Sequence, residues 1–564
     1  MAVEHPVLDL APWTGRFFWD EFDLLLVVCL TVGYLRSPPA RRAGTGGPWR
    51  LVFALLVLSF AVSAGLGAMP WPWPDSNSFV SYYSPYNALR IAKGVVWAGL
   101  FMGLLRRLDH GGHDTRTALA LGMALGLAWV VAFVGWERLA FVGLFDFADE
   151  YRVTGPFSAM HRGGAFIECY IAVALPFAAL GVLEARNRVA RAAGAALLVA
   201  ASYAMMVTFS RGGYAALGVA LLLLLLFIRR SGRWRQVAVG ALLAAAMLAV
   251  ALPVLLGPFA RERLGQWTND LATRQAHWSD ALAMRDTGLW TTAFGMGLGR
   301  FPETHFWRSF EPVRAGSYRL EADGDARYLR LGGGAGGLYI EQIVTLGAAH
   351  PHVLKMRLRA NKSAAPLNLS VCEKWMLTSR TCVGAVVLAG QTAGAWSTVE
   401  ISLDTARLAR SSALWPRPVK LSLQTPAGGT AIDVTDISLK TSAGNELLSN
   451  GDFRNALDRW FFSTDTDPPW HIHSLPVAVL FDQGWFGVVA WTVLLVSSLH
   501  LGARRAWHGD RFAAAALAAL VAFLVVGALN TLIDEPRFLF LLLVGTALCC
   551  GRAGENPGPT NRVT

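Results

Sequence analysis

Residues 192–228 read AAGAALLVAASYAMMVTFSRGGYAALGVALLLLLLFI, two apolar runs that meet at the hexapeptide TFSRGG (208–213). Each run approaches the roughly 20 residues that an α-helix needs to cross a bilayer. Arg211 therefore stands where two expected membrane helices meet. A fixed positive charge is costly there, which makes Arg211 a candidate functional residue. The two glycines that follow it allow a backbone to approach a ligand closely.

The same apolar character extends over most of the chain. Of the 564 residues, 54% are hydrophobic and 16% are charged, against about 25% charged in an ordinary soluble protein. We therefore expect an α-helical polytopic membrane protein with about 11–12 transmembrane helices. The apolar runs are 22–35, 51–69, 88–105, 117–135, 164–183, 192–209, 213–228, 236–257, 484–502, 512–530 and 537–551.

The arginine-rich loops predict how the chain crosses the membrane. They follow every second run, the pattern that marks cytoplasmic loops, and the remaining loops are then external. Arg211, the loop 136–163 and the stretch 258–483 fall on the external side. The net charge of +11 is explained by these loops, so we expect membrane lipids as partners and no nucleic acid. The basic residues of the loops are Arg36, Arg41, Arg42, Arg106, Arg107, Arg116, Arg186, Arg188, Arg191, Arg229, Arg230, Arg233, Arg235, Arg504, Arg505 and Arg511.

The external stretch interrupts the membrane part and divides the chain into three. Residues 1–305 hold the N-terminal helices and end in an external segment, 258–305, with an amphipathic pattern around 271–284. Residues 306–465 alternate with period two between turn-forming residues, which predicts an antiparallel β-sandwich. Residues 466–564 contain an external loop and the last membrane helices.

Two cysteines lie in the predicted sandwich. Cys372 and Cys382 flank a short hairpin-like segment. Because an external compartment is oxidising, we expect them to form a disulfide.

Several basic residues of the external face are candidates for binding an anion. The guanidinium fork of arginine matches two phosphate oxygens at once, which favours Arg211 and Arg274 as phosphate ligands. Arg152, in a glycine-containing loop, and Arg90 and Lys93, at the start of the third run, lie on the same side. The alternative for each is a membrane-boundary anchor or a solvated helix face.

His473 is the candidate proton acceptor, because histidine exchanges a proton near neutral pH. It follows His471 just before the run 484–502. We do not expect these two histidines to bind a metal ion, since no carboxylate or third histidine stands at matching spacing. The glycine-rich segment 295–299 follows no strand of a nucleotide-binding unit, which argues against a nucleotide site. We expect no cofactor and no metal.

The sandwich resembles the galactose-binding-like jelly rolls of carbohydrate-binding modules. The resembling segments are 328–331, 338–342 and 448–453 with Trp460, although the last usually opens such modules and here comes near the end. The resemblance implies that aromatic rings stack on sugars. The candidates are Trp375, Trp396, Trp460 and Tyr339, and each is also a possible core residue.

Four motifs together resemble the O-antigen ligase and O-antigen polymerase superfamily. They are Phe209-Ser210-Arg211-Gly212-Gly213; Arg274 with Trp278 and the segment 294–301; His473 followed by Gly484 and Gly487; and, more weakly, Arg152-x-x-Gly155-x-Phe157. The resemblance covers the fifth to eleventh runs and the external stretch without 306–465.

This resemblance implies a glycosyltransferase of GT-C-like fold in a bacterial inner membrane, with its active site and the sandwich facing the periplasm. Such enzymes move a glycan from undecaprenyl diphosphate to an acceptor hydroxyl of a glycan, lipid or protein, without a metal ion. Arg211 and Arg274 would correspond to the family's diphosphate-binding arginines and His473 to its histidine.

The sequence departs from the family in two places. Ser474 stands where asparagine is usual, and an insert as large as 306–465 is rare there, which leaves the substrate class open. The alternatives are a lipid-linked glycan flippase or exporter, a protein O-oligosaccharyltransferase, and a non-catalytic sensor of surface glycans. A flippase would carry charges along a central cavity, and a sensor would not need Arg211, Arg274 and His473 together.

Overall fold

The computed structural model of the chain describes residues 18–37, 49–157, 165–230, 234–346, 351–375, 378–390, 392–408, 419–426, 428–464 and 469–551. Each of the eleven predicted apolar runs corresponds to a helix, although several runs extend one to three residues beyond its end. These helices are α1 Glu21–Arg36, α2 Trp49–Gly67, α3 Asn87–His110, α4 Thr115–Phe141, α5 Ala165–Glu184, α6 Arg188–Met206, α7 Arg211–Arg230, α8 Trp234–Leu255, α13 Leu475–Trp507, α14 Arg511–Ala528 and α15 Pro536–Cys550. Four shorter helices separate α8 from the β-region: α9 Pro258–Gly265, α10 Trp267–Ala283, α11 Leu289–Phe294 and α12 Phe301–Arg308.

The helix bundle has the length and composition of a multi-pass membrane protein. Within the described residues, seven helices are long and apolar enough to cross a membrane, and three shorter apolar helices accompany them. Helices α5 and α14 are mostly buried inside the bundle, with 72% of each span buried, whereas only 22% of the α4 span and 17% of the α8 span are buried. Apolar surface turned outward is the pattern that lipid requires, so α5 and α14 form the centre and α4 and α8 the rim.

The segment after α8 forms the short helices α9–α12. The amphipathic pattern around 271–284 lies in α10. At the C-terminal end of this helix, Ala281 and Met284 pack in one apolar cluster with Ile472 and Phe481. Helix α10 therefore lies against the start of α13. The end of the bundle that carries α9–α12 and the β-region is called the sandwich side below.

Residues 317–463 form two antiparallel five-stranded sheets, within the bounds 306–465 predicted for the sandwich. The sheets are ordered β1-β2-β9-β4-β7 and β10-β3-β8-β5-β6. One apolar core lies between them and contains Leu329, Leu354, Leu369 and Leu421. The strands are β1 Ser317–Asp323, β2 Ala326–Gly332, β3 Tyr339–Val344, β4 His352–Ala360, β5 Ala365–Trp375, β6 Thr378–Ala389, β7 Ser397–Leu403, β8 Val419–Gln424, β9 Ala431–Lys440 and β10 Phe461–Ser463.

The predicted disulfide is confirmed. Cys372 of β5 and Cys382 of β6 face each other in the strand register and are joined by a disulfide. It closes the hairpin at the edge of the second sheet.

Loops of the helix bundle hold the sandwich in place. Asn77, between α2 and α3, both accepts from the Leu320 N–H (2.7 Å) and donates to the Leu320 carbonyl (2.9 Å). The Tyr318 hydroxyl donates to the Val80 carbonyl, and Tyr82 lies in the sandwich core. Asn77 thus satisfies backbone groups of the edge strand β1, which would otherwise be open to pairing with another chain.

Candidate functional site

Arg211 begins α7 on the sandwich side of the bundle. Its guanidinium donates to the Arg263 carbonyl (2.8 Å) and to the carboxylate of Asp270 in α10. The side chain is mostly buried by these contacts. Arg211 therefore points toward α9 and α10 rather than outward to lipid, unlike a boundary anchor.

The glycines after Arg211 have a packing role. A Cβ atom at Gly213 would lie 2.7 Å from the Met205 sulfur and 2.9 Å from Cβ of Glu168 in α5. A Cβ at Gly212 would lie 3.5 Å from a carboxylate oxygen of Glu168. The sequence suggested that these glycines admit a ligand, and the structure shows that they admit α5 and its carboxylate.

Glu168 is a site residue that the sequence reasoning missed. Its side chain is buried, with the residue 2% exposed, and it interacts electrostatically with Arg152 and Arg274. Among the described residues, its Oε2 atom has no hydrogen-bond partner. A lone acid in an otherwise apolar run is a signal for function that could have identified it.

Arg152 joins the same group of side chains. Its Nε donates to the Thr208 carbonyl (2.9 Å), three residues before Arg211. Arg152, Arg274 and Glu168 are thereby brought together beside the start of α7. A buried carboxylate between two arginines lowers the cost of bringing both cations to one place.

One face of α10 connects this group to His473. Asp270, Arg274 and Trp278 are spaced four residues apart and so lie on one side of the helix. Asp270 accepts from Arg211, Arg274 donates to the Leu529 carbonyl at the end of α14, and the Trp278 indole donates to the His473 carbonyl (3.2 Å). Eight residues of helix rise by about 12 Å, which sets the separation between the two ends of this face.

His473 lies immediately before α13 with a positive φ of 57°. Its ring is half-buried, with its centroid 5.8 Å from that of His277 and 6.2 Å from that of His471. His471 is hydrogen-bonded through Nδ1 to the carboxylate of Asp534. A non-glycine residue held at positive φ is strained, and such strain is frequent at functional sites.

Arg90 and Lys93 are held in ion pairs within the bundle. Arg90 is 3% exposed and donates to Glu535 (3.2 Å), the Asp534 carbonyl (2.9 Å) and Asn87 (2.9 Å). Lys93 is paired with the carboxylate of Asp23. These contacts tie α3 to α1 and to the segment before α15, so either side chain would have to leave an existing partner to bind a ligand.

The glycine-rich segment 295–299 supports the start of α13. The Met296 N–H donates to the Phe481 carbonyl (2.8 Å) and the Gly297 N–H to the Asp482 carbonyl (3.1 Å). Gly484 adopts φ 63° and interrupts the helix there. The two segments therefore meet backbone to backbone: a Cβ atom at Gly295 would lie 2.3 Å from the Asp482 carbonyl carbon, and one at Gly484 would lie 2.5 Å from the Gly295 nitrogen.

The aromatic candidates of the sandwich differ in exposure. Trp396 is half-buried, packs against Tyr328, and has the guanidinium groups of Arg357 and Arg359 above its ring at 5.2 and 4.6 Å. Tyr339 is also half-buried.

Neither Trp460 nor Trp375 is an exposed ring in the described part of the sandwich. Trp460 is fully buried, with its indole donating to the Asn450 carbonyl (3.0 Å), and it is a core residue rather than an exposed ring. The side chain of Trp375 lies outside the described part of the structure.

A second group of polar side chains lies beside His473. His277 Nδ1 is 2.8 Å and His305 Nε2 is 3.0 Å from the two carboxylate oxygens of Glu311. Burial lowers the pKa of His305 below its usual 6.5, and the hydrogen bond to Glu311 opposes this effect. His305 thus favours its neutral form at pH 7, with a lone pair on one ring nitrogen.

Comparisons of the chain with models of known protein families, with curated proteins and with solved structures found no match.

Proposed function

We propose that the chain is a membrane glycosyltransferase that moves a glycan from undecaprenyl diphosphate to an acceptor hydroxyl. The observation that carries the proposal is the face of α10, which links Arg211, Arg274 and His473 in one row. These three residues come from separate parts of the chain, and each was singled out by the motif resemblance. Arg274 lies on this face, while Arg211 and the His473 carbonyl contact it at Asp270 and Trp278, so one helix positions all three.

Arg211 and Arg274 bind the diphosphate in this proposal. Guanidinium groups hold phosphate oxygens through paired, charge-assisted hydrogen bonds. They also stabilise the negative charge that builds on the diphosphate as its bond to the sugar breaks. Arg152 adds a third cation at the same place, and Glu168 balances the cluster before the donor binds.

His473 activates the acceptor. The hydroxyl oxygen attacks the anomeric carbon of the donor sugar, its proton passes to the His473 imidazole, and a new glycosidic C–O bond forms. The bond between the anomeric carbon and the diphosphate oxygen breaks, and undecaprenyl diphosphate leaves with the electron pair.

The active site and sandwich face the periplasm in this proposal, and all eleven apolar helices take part in a GT-C-like bundle of 11–12 spans. The sandwich holds a sugar chain near the membrane, and Trp396 and Tyr339 are its half-buried aromatic side chains. Ligase, polymerase and protein-glycosylating activities share this chemistry and differ only in the acceptor.

The substitution His473→Ala tests the proposal. We expect loss of surface glycan in a strain that depends on this chain, with donor accumulating on the external leaflet, because the acceptor loses its base while donor binding persists. The matched control is His508→Ala, an exposed histidine at the far end of α13. Both variants are first compared for membrane level.

Two outcomes would refute the proposal in different ways. Unchanged surface glycan in a strain carrying His473→Ala would refute the proposed transferase reaction. Donor that accumulates only on the cytoplasmic leaflet would indicate a flippase instead.

A further inference from the structure

Three side chains from three segments converge where the chain enters the sandwich. They are His277 of α10, His305 of α12 and Glu311 of the segment that leads to β1. Their nitrogen and carboxylate oxygen atoms all lie within 4.8 Å of one another. The Glu311 carboxylate lies between the two rings, 2.8 Å from His277 Nδ1 and 3.0 Å from His305 Nε2.

The contacts of His277 place two hydrogen-bond acceptors against each other. Its Nε2 atom is 2.9 Å from the His471 carbonyl, which can only accept, so Nε2 carries hydrogen. In the neutral ring, Nδ1 then presents a lone pair. That lone pair faces a carboxylate oxygen, which also accepts. Two acceptors at 2.8 Å repel each other unless a second proton or a metal ion lies between them.

The surrounding groups favour a metal ion of the zinc class. Two imidazole nitrogens and a carboxylate are a donor set that zinc takes, with three protein ligands and a fourth position for water. Zinc bonds of about 2.0 Å in a tetrahedron place ligand atoms about 3.3 Å apart. The two nitrogen–oxygen distances here are 2.8 and 3.0 Å, and all three ligand atoms lie within 4.8 Å of one another. The bond from His277 Nε2 to a backbone carbonyl is the outer contact that usually orients a metal-binding histidine.

The site is enclosed but reachable. His277 and His305 are 8% and 2% exposed, whereas the Glu311 side chain is a quarter exposed. The rings of Phe301 and His277 pack edge to face. Such a shell fixes the two nitrogens and leaves the carboxylate side open to water, as a site with an entry path requires.

We propose that His277, His305 and Glu311 bind a zinc-class divalent cation that fastens the entry to the sandwich onto α10. The three ligands join α10, α12 and the segment before β1. The adjacent contacts extend the bracing to the loop before α13, since His277 holds the His471 carbonyl and Trp278 the His473 carbonyl. The cation would join these segments with water in its fourth position, and this proposal does not depend on the proposed function.

Zinc binding to the full-length chain in detergent tests this site. The purified protein is stripped with a chelator, dialysed against Zn²⁺ and analysed for bound metal, with Mg²⁺ as the comparison ion because it prefers oxygen ligands. We expect one Zn²⁺ per chain. We also expect Zn²⁺ to raise the apparent melting temperature, because an ion that binds only the folded state stabilises it.

Variants separate the metal site from a proton-bridged triad. Glu311→Gln preserves the side-chain shape but removes the ligand charge, and His305→Ala removes a ligand. Each should lower zinc affinity at least about tenfold and abolish the thermal shift. His508→Ala, the exposed control, should bind as the wild type does. Wild-type protein that binds no more zinc than Glu311→Gln would overturn the proposal and leave a hydrogen-bonded triad.

His473→Ala distinguishes this proposal from the transfer reaction. Zinc binding should be unchanged in it, since His473 is not one of the three ligands. A tenfold loss of zinc affinity in His473→Ala would overturn the three-ligand assignment. If His473→Ala loses glycan transfer but still binds zinc, both proposals are supported. If it keeps both glycan transfer and zinc binding, only the proposed transfer mechanism is refuted.

Discussion

Two glycines of α7 allow the packing behind Arg211 to be measured. Gly213 and Gly218 are five residues apart in the same helix. A Cβ at Gly213 would meet the Met205 sulfur and Glu168 Cβ, whereas a Cβ at Gly218 would meet nothing within 4 Å. Gly213→Ala and Gly218→Ala therefore add the same methyl group to a crowded and an open position.

The magnitude follows from two opposing effects. Alanine is favoured over glycine inside a helix by about 1 kcal/mol, and both variants gain this. Carbon atoms in ordinary contact are about 3.5–4.0 Å apart, and the added carbon at 213 would lie 2.9 Å from Glu168 Cβ. The Met205 side chain can rotate away, but Glu168 Cβ moves only with α5. Overpacking of this kind costs about 1–3 kcal/mol, which is the expected difference between the two variants.

Thermal unfolding of the full-length protein in one detergent measures this difference. Gly218→Ala should melt at or slightly above the wild-type temperature, and Gly213→Ala clearly below it. Glycan transfer should also fall in Gly213→Ala alone, because displacement of α7 from α5 moves Arg211, two residues earlier.

Equal melting temperatures for the two variants would refute this reasoning. They would mean that α5 and α7 are not in the tight contact described, and that the glycines serve a ligand instead. Reduced transfer in Gly213→Ala with an unchanged melting temperature would point to the same conclusion.

The remaining predictions concern Arg211 and its ion-pair partner Asp270. Arg211→Lys keeps the charge but loses the paired hydrogen bonds, so kcat/KM should fall about ten- to hundredfold in the proposed transferase. Arg308→Lys, at an exposed ion pair, is the control. Full activity of Arg211→Lys would show that Arg211 only joins α7 to α9 and α10. Asp270→Asn removes the carboxylate that occupies Arg211 and competes with a phosphate, so the KM for donor should fall about two- to fivefold, the value of a partly exposed ion pair. A raised KM would show that Asp270 positions Arg211 instead.

Local patterns were sufficient to predict the main elements. Apolar runs predict helices because a membrane helix satisfies its backbone internally whatever its neighbours are. The period-two alternation of 328–331 and 399–403 predicts strands for the same local reason, and both segments lie in β2 and β7. The disulfide followed from two cysteines on either side of one hairpin.

Contacts between distant segments could not be predicted from the sequence. Trp460 is interpreted from sequence as a possible sugar-stacking ring, but its burial depends on Phe453, 5.6 Å away between ring centroids, and on the sheets above and below. Glu168 lies in a run that otherwise predicts an ordinary membrane helix. The lone acid in an apolar run marks it as unusual, but its interactions with Arg152 and Arg274 depend on the folded structure.

The metal candidates illustrate the same limit. His277, His305 and Glu311 follow no spacing of a known metal motif, and the sequence reasoning expected no metal. They meet because the chain folds back against α10 at α12. The Ser309 hydroxyl, just after α12, helps to hold this arrangement by donating to the Asp280 carboxylate of α10 (2.7 Å). His471 and His473 do show a paired spacing, but they have different partners. The His471 ring is hydrogen-bonded to Asp534, and the His473 carbonyl accepts from Trp278 of α10.

The position of the sandwich explains how so large an insert leaves the site around it intact. The chain enters the sandwich past Glu311 and returns past His471, and both residues contact one side chain, His277. The two crossings are therefore fastened to α10 at a single place. Arg274 and Trp278, one turn or less away on the same helix, keep their contacts with Leu529 and His473 whatever is inserted between the crossings. This is why motifs on both sides of 306–465 can belong to one site although the sandwich separates them in sequence.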